Sequence, residues 1–144
     1  MPRALVDTTV LFAAAYRRDS LHDDALPILQ GIDDGSLPEA VILDYVLAET
    51  LNGLTTHAGH TAAVDLLDRI EENAHFHIDT LTTAALASGK ALFRQHRSLS
   101  FVDACIIASM QTEGLGYLYA FDDDFDIADD VYRLDTATNP YNPT

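Results

Sequence analysis

Apolar residues fall into two kinds of segment along the chain. Short unbroken runs at Ala4–Val6, Ala40–Leu43 and Tyr117–Phe121 read as buried strands, with weaker ones at Phe76–Ile78 and Val131–Leu134. Between them lie stretches with helical spacing. Val10–Tyr16 follows the first strand, and Leu21–Asp33 forms a second helix closed by the turn pair Asp34-Gly35. Asp44 can cap a helix from Tyr45 to about His57, which Gly59 breaks. Thr61–Glu72 carries Val64, Leu67 and Ile70 on one face, and Thr80–Gln95 is a further helix. Ser100 caps a largely apolar helix, Phe101–Met110, stopped near Gly114. All-apolar strands alternating with helices predict an α/β fold whose parallel central sheet, of four to five short strands, has helices on both faces. Such sheets bind ligands beyond the carboxyl ends of their strands. Asp7 and Asp122 follow strands directly.

The chain of 144 residues suits one domain, with a core over about 4–135 and a C-terminal tail at 136–144. No repeat or linker divides it. The longest apolar run, Val10–Tyr16, has seven residues, against the roughly 20 of a membrane span. The start MPRALVDTTV lacks a secretory signal, so a cytoplasmic location is expected. Cys105 sits in an apolar run as a packing residue, and a lone cysteine forms no intrachain disulfide.

Charge changes the picture more. Eighteen Asp and five Glu face seven Arg and Lys90, a net charge of −15. At 48% apolar content the chain is too hydrophobic for disorder. Eight cations cannot build a basic nucleic-acid surface. An Asp-rich, Lys-poor exterior suits concentrated salt, where screening shortens to about 3 Å at 1 M, and a halophilic source is expected. The one local concentration of positive charge, Phe93-Arg94-Gln95-His96-Arg97, offers Arg94 and Arg97 as RNA-phosphate contacts or as a solvated helix end.

Most acids are then solvating groups, but four stand out: two in apolar helices and two at strand ends. Asp103 interrupts SFVDACIIASM, a helix apolar all round and therefore buried, where an unpaired carboxylate is costly. A capping box with Ser100 explains its spacing, though not a charge beside Phe101, Val102 and Ala104. Glu49 lies among Val46, Leu47, Ala48 and Leu51 with no cation within four residues. Asp7 serves either as a helix cap or as a ligand, and Asp122 belongs either to a charged surface turn or to a site. Asp7 and Asp122 come from strand ends, Glu49 and Asp103 from the first turns of helices beginning nearby. Convergent carboxylates repel one another and need a cation. Oxygen-only ligation favours Mg²⁺ or Mn²⁺.

LVDTTVL, the isolated acid of VLAET, SFVDACI and FDDDF resemble, in order, the motifs of the PIN-domain family, and most closely its VapC-like ribonuclease toxins. The resemblance spans residues 5 to about 125. It implies a metal site at Asp7, Glu49, Asp103 and Asp122, with Asp124 as a further acid and Thr9 as the small polar residue after the first. It also implies metal-dependent RNA cleavage, a small antitoxin partner and a homodimer. One departure is Ala120, where the family often has Thr or Ser. Alternatives are a PIN-fold module that binds without cutting, and an RNA-processing nuclease without an antitoxin. A phospho-acceptor receiver domain would need a lysine near a late strand, but Lys90 is helical. A haloacid-dehalogenase-type hydrolase would need Asp where Thr9 stands. His57 with His60, and His75 with His77, read as loop and surface residues.

Overall fold

The computed structural model describes residues 2–142. Strand β1 (Arg3–Val6) occupies the middle of the sheet, flanked by β2 (Glu39–Leu43) and β4 (Tyr117–Tyr119). Outside these lie β3 (Phe76–Asp79) and β5 (Tyr132–Leu134), in the order β3-β2-β1-β4-β5. All four pairings are parallel, with Leu5 opposite Val41 on one side and Leu118 on the other. The strands are apolar because both faces are covered: Ala4, Leu5, Val6, Ala40, Ile42 and Leu118 are almost wholly inaccessible.

Six helices complete the fold: α1 (Thr8–Ala15), α2 (His22–Asp33), α3 (Asp44–His57), α4 (His60–Glu72), α5 (Thr83–Gln95) and α6 (Phe101–Glu113). The chain builds outward from β1 to β3, then returns across the sheet to β4. Right-handed crossovers place α1–α4 on one face and α5–α6 on the other. Strand order therefore reverses between β1 and β4, and the crevice beyond their carboxyl ends is the topological switch point. Asp7 leaves the sheet on one side of that crevice. On the other, the chain after β4 turns into a short 3-10 helix, Asp123–Ile127.

Helix α6 is buried from Asp103 to Met110, as its all-round hydrophobicity requires. It packs against α5 at Gly89, where a Cβ would lie 3.0 Å from Cys105 Sγ and 3.2 Å from Cys105 Cα. A hydrogen is all that fits without a shift, and Cys105 is a buried packing residue as expected. Gly59 joins α3 to α4 at φ +98°, a conformation that side chains resist.

Several boundaries differ from the expected ones, each for a local reason. Helix α5 starts at Thr83 rather than Thr80, because Thr82 Oγ1 accepts from Ala85 N–H at 3.1 Å. The preceding Leu81 N–H is taken by the Asp44 carboxylate at 3.1 Å. Asp44 is the first residue of α3, not its cap, and also accepts from Tyr45 N–H. The buried stripe of α4 is Ala63, Leu66 and Ile70, turned one residue from the expected face, so Val64 is 37% exposed. Strand β4 stops at Tyr119, since Phe121 N–H bonds to Thr9 rather than to a strand. Helix α1 starts at Thr8, and α6 runs three residues beyond Met110 to Glu113, with Gly114 as its C-cap.

The expected tail at 136–144 is bonded to the body through Asn139: Tyr119 Oη donates to Thr138 O, and Asn139 Nδ2 to Ser36 O. Tyr141 Oη donates to Arg3 O at 2.9 Å. Pro143 and Thr144 lie outside the described residues. Among the described residues no helix is long and apolar enough to cross a membrane.

Candidate metal centre

Asp7 is 3% exposed and caps α1 in extended conformation. Its Oδ2 accepts from Thr9 N–H at 3.2 Å and from the Thr9 hydroxyl at 2.7 Å. The same hydroxyl accepts from Phe121 N–H at 3.1 Å. Thr9 thus ties the Asp7 carboxylate to the segment leaving β4, on the opposite side of the crevice. Asp7 N–H donates to Tyr119 O at 3.0 Å, which closes the ladder just below the carboxylate.

Asp103 stands in the first turn of α6, where the Ser100 hydroxyl accepts from its N–H at 3.1 Å. The capping relation is therefore real, and it employs both the backbone N–H of Asp103 and its carboxylate, which Ser100 also holds. The Asp103 carboxyl is pushed up to about 7, first by burial and next by the Asp7 charge; Ser100 partly offsets this and Asp122 adds to it. Burial also raises Asp7, against the lowering effect of the Thr9 bonds, and Glu49 adds repulsion.

Glu49 is exposed and belongs to the second turn of α3, not the first, which sets it higher above the crevice than the spacing suggested. Asp122 caps the 3-10 helix, its Oδ1 accepting from Asp124 N–H at 2.9 Å. Asp124 is raised chiefly by the Asp122 charge. Electrostatic reach therefore links the acids in one line: Glu49 with Asp7, Asp7 with Asp103, Asp103 with Asp122, and Asp122 with Asp124. The tightest set differs from the expected one. Among the described residues, oxygens of Asp122, Asp123 and Asp124 lie within 4.8 Å of one another, whereas Asp7, Glu49 and Asp103 are outside that set. Asp123 was not singled out in the sequence, being one Asp in a run of three.

Among the described residues no Lys or Arg forms an ion pair with any of these carboxylates. Like charges are crowded, two are buried, and hydrogen bonds from Thr9 and Ser100 offset the repulsion only in part. A hard divalent cation fits that donor set, which is all carboxylate oxygen. Ala120, the departure noted above, is fully buried with its N–H on Leu134 O.

One further polar residue went unnoticed in the sequence. Thr50, fully buried, donates to Val46 O at 2.8 Å and to Thr8 Oγ1 at 3.2 Å. It pins α3 to α1 and so fixes Glu49 relative to Asp7. Its signal was a hydroxyl beside a carboxylate, between the apolar residues Val46 and Leu54. Arg94 and Arg97 are exposed and, among the described residues, form no ion pair. A second basic site, missed because it joins distant segments, is Arg17-Arg18 beside His57. No histidine joins a potential metal group among the described residues; the His57 ring packs edge-on against Phe12, and His77 Nε2 lies 3.1 Å from Glu39.

A parallel α/β sheet with an all-carboxylate cluster at its switch point defines the class. The PIN domain profile matches residues 4–131, and the chain belongs to the PIN-domain family. VapC20 of Mycobacterium tuberculosis, described as a sarcin-ricin loop cleaving toxin, superposes with a TM-score of 0.75 at 28% identity, over 86% of this chain and 93% of that one. VapBC2 of Rickettsia felis, solved on a promoter DNA fragment, gives 0.68 at 14% identity over 92% and 97%. FitAcB of Neisseria gonorrhoeae gives 0.63 at 18% over 96% and 99%. At those identities the last two show the fold alone. Comparison with curated protein sequences yields no match.

Proposed function

We propose that this protein is a metal-dependent endoribonuclease, the toxin of a toxin–antitoxin pair. The observation that carries the reading is the line of acids at the switch point, with Asp103 raised to about 7 and no cation beside it. Asp7, Asp103 and Asp122 would hold Mg²⁺ or Mn²⁺, with Glu49 and Asp124 at the rim. The similarity to a toxin that cleaves RNA supports the substrate class. The fold shared with VapBC2 supports an antitoxin partner, and the homodimer rests on the family resemblance alone.

When bound, a divalent cation supplies acidification of water and stabilisation of charge on the phosphate. The chain's own residues do the rest. Thr9 holds the Asp7 carboxylate in one orientation through two bonds. Thr50 keeps Glu49 at a fixed height over the crevice. One carboxylate takes the proton of the attacking water as it adds to phosphorus and a P–O bond breaks. The surrounding apolar helices keep bulk water from the floor of the site, which strengthens each electrostatic contact.

Purified protein is incubated with single-stranded RNA before and after chelation. Cleavage should stop with EDTA and return with Mg²⁺ or Mn²⁺, but poorly with Zn²⁺, which prefers nitrogen and sulfur ligands. Cleavage that survives thorough chelation contradicts the reading.

A further inference from the structure

Eight cations serve a chain with 23 acids, and their distribution is uneven. Arg3, Arg69 and Arg133 each pair with a carboxylate. Among the described residues the other five form no ion pair, and two of these are adjacent: Arg17 and Arg18. The neighbouring acid is committed elsewhere, because Asp19 Oδ1 accepts from Leu21 N–H at 2.8 Å. Tyr16, Arg17, Arg18 and His57 line an open surface cavity of about 460 Å³. Its aromatic wall is fixed by Phe12, whose ring meets Tyr16 at 5.4 Å and His57 at 5.8 Å, both edge-on.

The position of this corner gives it meaning. Helix α1 begins at the Asp7 cap and ends at the Tyr16 cap, eight residues and about 12 Å away. Helix α3 carries Glu49 in its second turn and ends at His57, a similar distance on. Two helices that start at the carboxylate centre therefore finish at one basic corner. The helix dipole favours a cation in the last turn, which accounts for His57. It does not account for Arg17 and Arg18, which lie beyond the C-cap and donate no hydrogen bond to a helix carbonyl.

We propose that Arg17 and Arg18, with His57 and Tyr16, form a docking corner for a backbone phosphate of the RNA strand, a few nucleotides from the cleaved bond. The proposal rests on the nuclease reading for the identity of the strand. Guanidinium forks suit phosphate oxygens, and the Tyr16 ring offers a face to an adjoining base. On so acidic a protein, a remote anchor offsets the repulsion the strand meets at every other approach.

The test is an NMR titration of the isotope-labelled protein in chelator, with single-stranded RNA and separately with inorganic phosphate. Metal-free buffer keeps the measurement independent of cleavage. RNA should move the Nε–H signals of Arg17 and Arg18 and the ring signals of His57, at concentrations where inorganic phosphate does not. In the metal-loaded protein, Arg17→Ala/Arg18→Ala should raise KM roughly tenfold and reduce the salt slope of log(kcat/KM) by about 0.7, for the one lost phosphate contact. Arg17→Lys/Arg18→Lys should restore the slope. RNA that leaves these signals still, or moves only those of Lys90, Arg94 and Arg97, overturns the proposal. Shifts at the corner in a protein that never cleaves RNA would sink the nuclease reading and leave the corner standing.

Discussion

Replacing Asp103 by Asn removes one charge from the crowded centre and changes almost nothing else. The shape is kept, and the Ser100 hydroxyl still accepts from the backbone N–H of residue 103, so the cap worth about 1 kcal/mol remains. The carboxyl stands at about 7 against an ordinary 3.8. At 1.36 kcal/mol per pKa unit that is roughly 4 kcal/mol of disfavoured charge. Asp103 lies close under the surface, and solvent screening reduces the figure to about 1–2 kcal/mol. The sign follows from the direction of the shift. A carboxyl raised in the fold is favoured neutral, so stability is retained below pH 4 and lost as pH climbs through about 7. In chelator at pH 8, Asp103→Asn should therefore melt roughly 3–6 °C above the parent, and the gap should close by pH 4. Metal should stabilise the parent and not the variant, and the variant should not cut RNA. Calorimetry at both pH values, with and without Mn²⁺, measures all of this. A variant less stable than the parent at pH 8, with ribonuclease activity intact, would show that Asp103 only caps the helix.

Thr9→Val removes the hydroxyl shared by Asp7 and Phe121 and should cost about 1–3 kcal/mol in urea denaturation; an unchanged midpoint would show that the bridge contributes nothing. Gly89→Ala places a methyl against Cys105, where both side chain and backbone are near, and should cost about 1–3 kcal/mol by overpacking. A neutral result would mean that α5 and α6 part easily. A net charge of −15 predicts a melting temperature that rises from 0.1 M to 1 M KCl, as the screening length falls from about 10 Å to about 3 Å. A protein most stable at 0.1 M would assign the acidity to another role, such as covering by a basic partner.

The sheet could be read from the sequence because the central strands β1, β2 and β4 are buried on both faces and so appear as apolar runs, whereas the edge strands β3 and β5, with His77, Asp79 and Arg133, left weaker signals. Boundaries were missed where a side chain competed with the backbone. Asp44 takes Leu81 N–H and delays α5, and Thr9 takes Phe121 N–H and shortens β4. Glu49 and Asp103 stood out for the converse reason, as charges in apolar context, and Asp7 and Asp122 by their place just after strands. What the pattern could not convey was height above the sheet. One turn of α3 separates the expected position of Glu49 from the actual one, and the consecutive acids after β4 leave open which of them draw together. The Arg17–His57 corner joins residues forty positions apart, so no local window shows it.

The most direct measurement is anomalous diffraction from crystals grown with Mn²⁺. The account predicts a peak in the crevice between β1 and β4, with oxygens of Asp7, Asp103 and Asp122 as its nearest protein neighbours. A peak held by Asp122, Asp123 and Asp124 alone, or no peak in protein that still cleaves RNA, would contradict it.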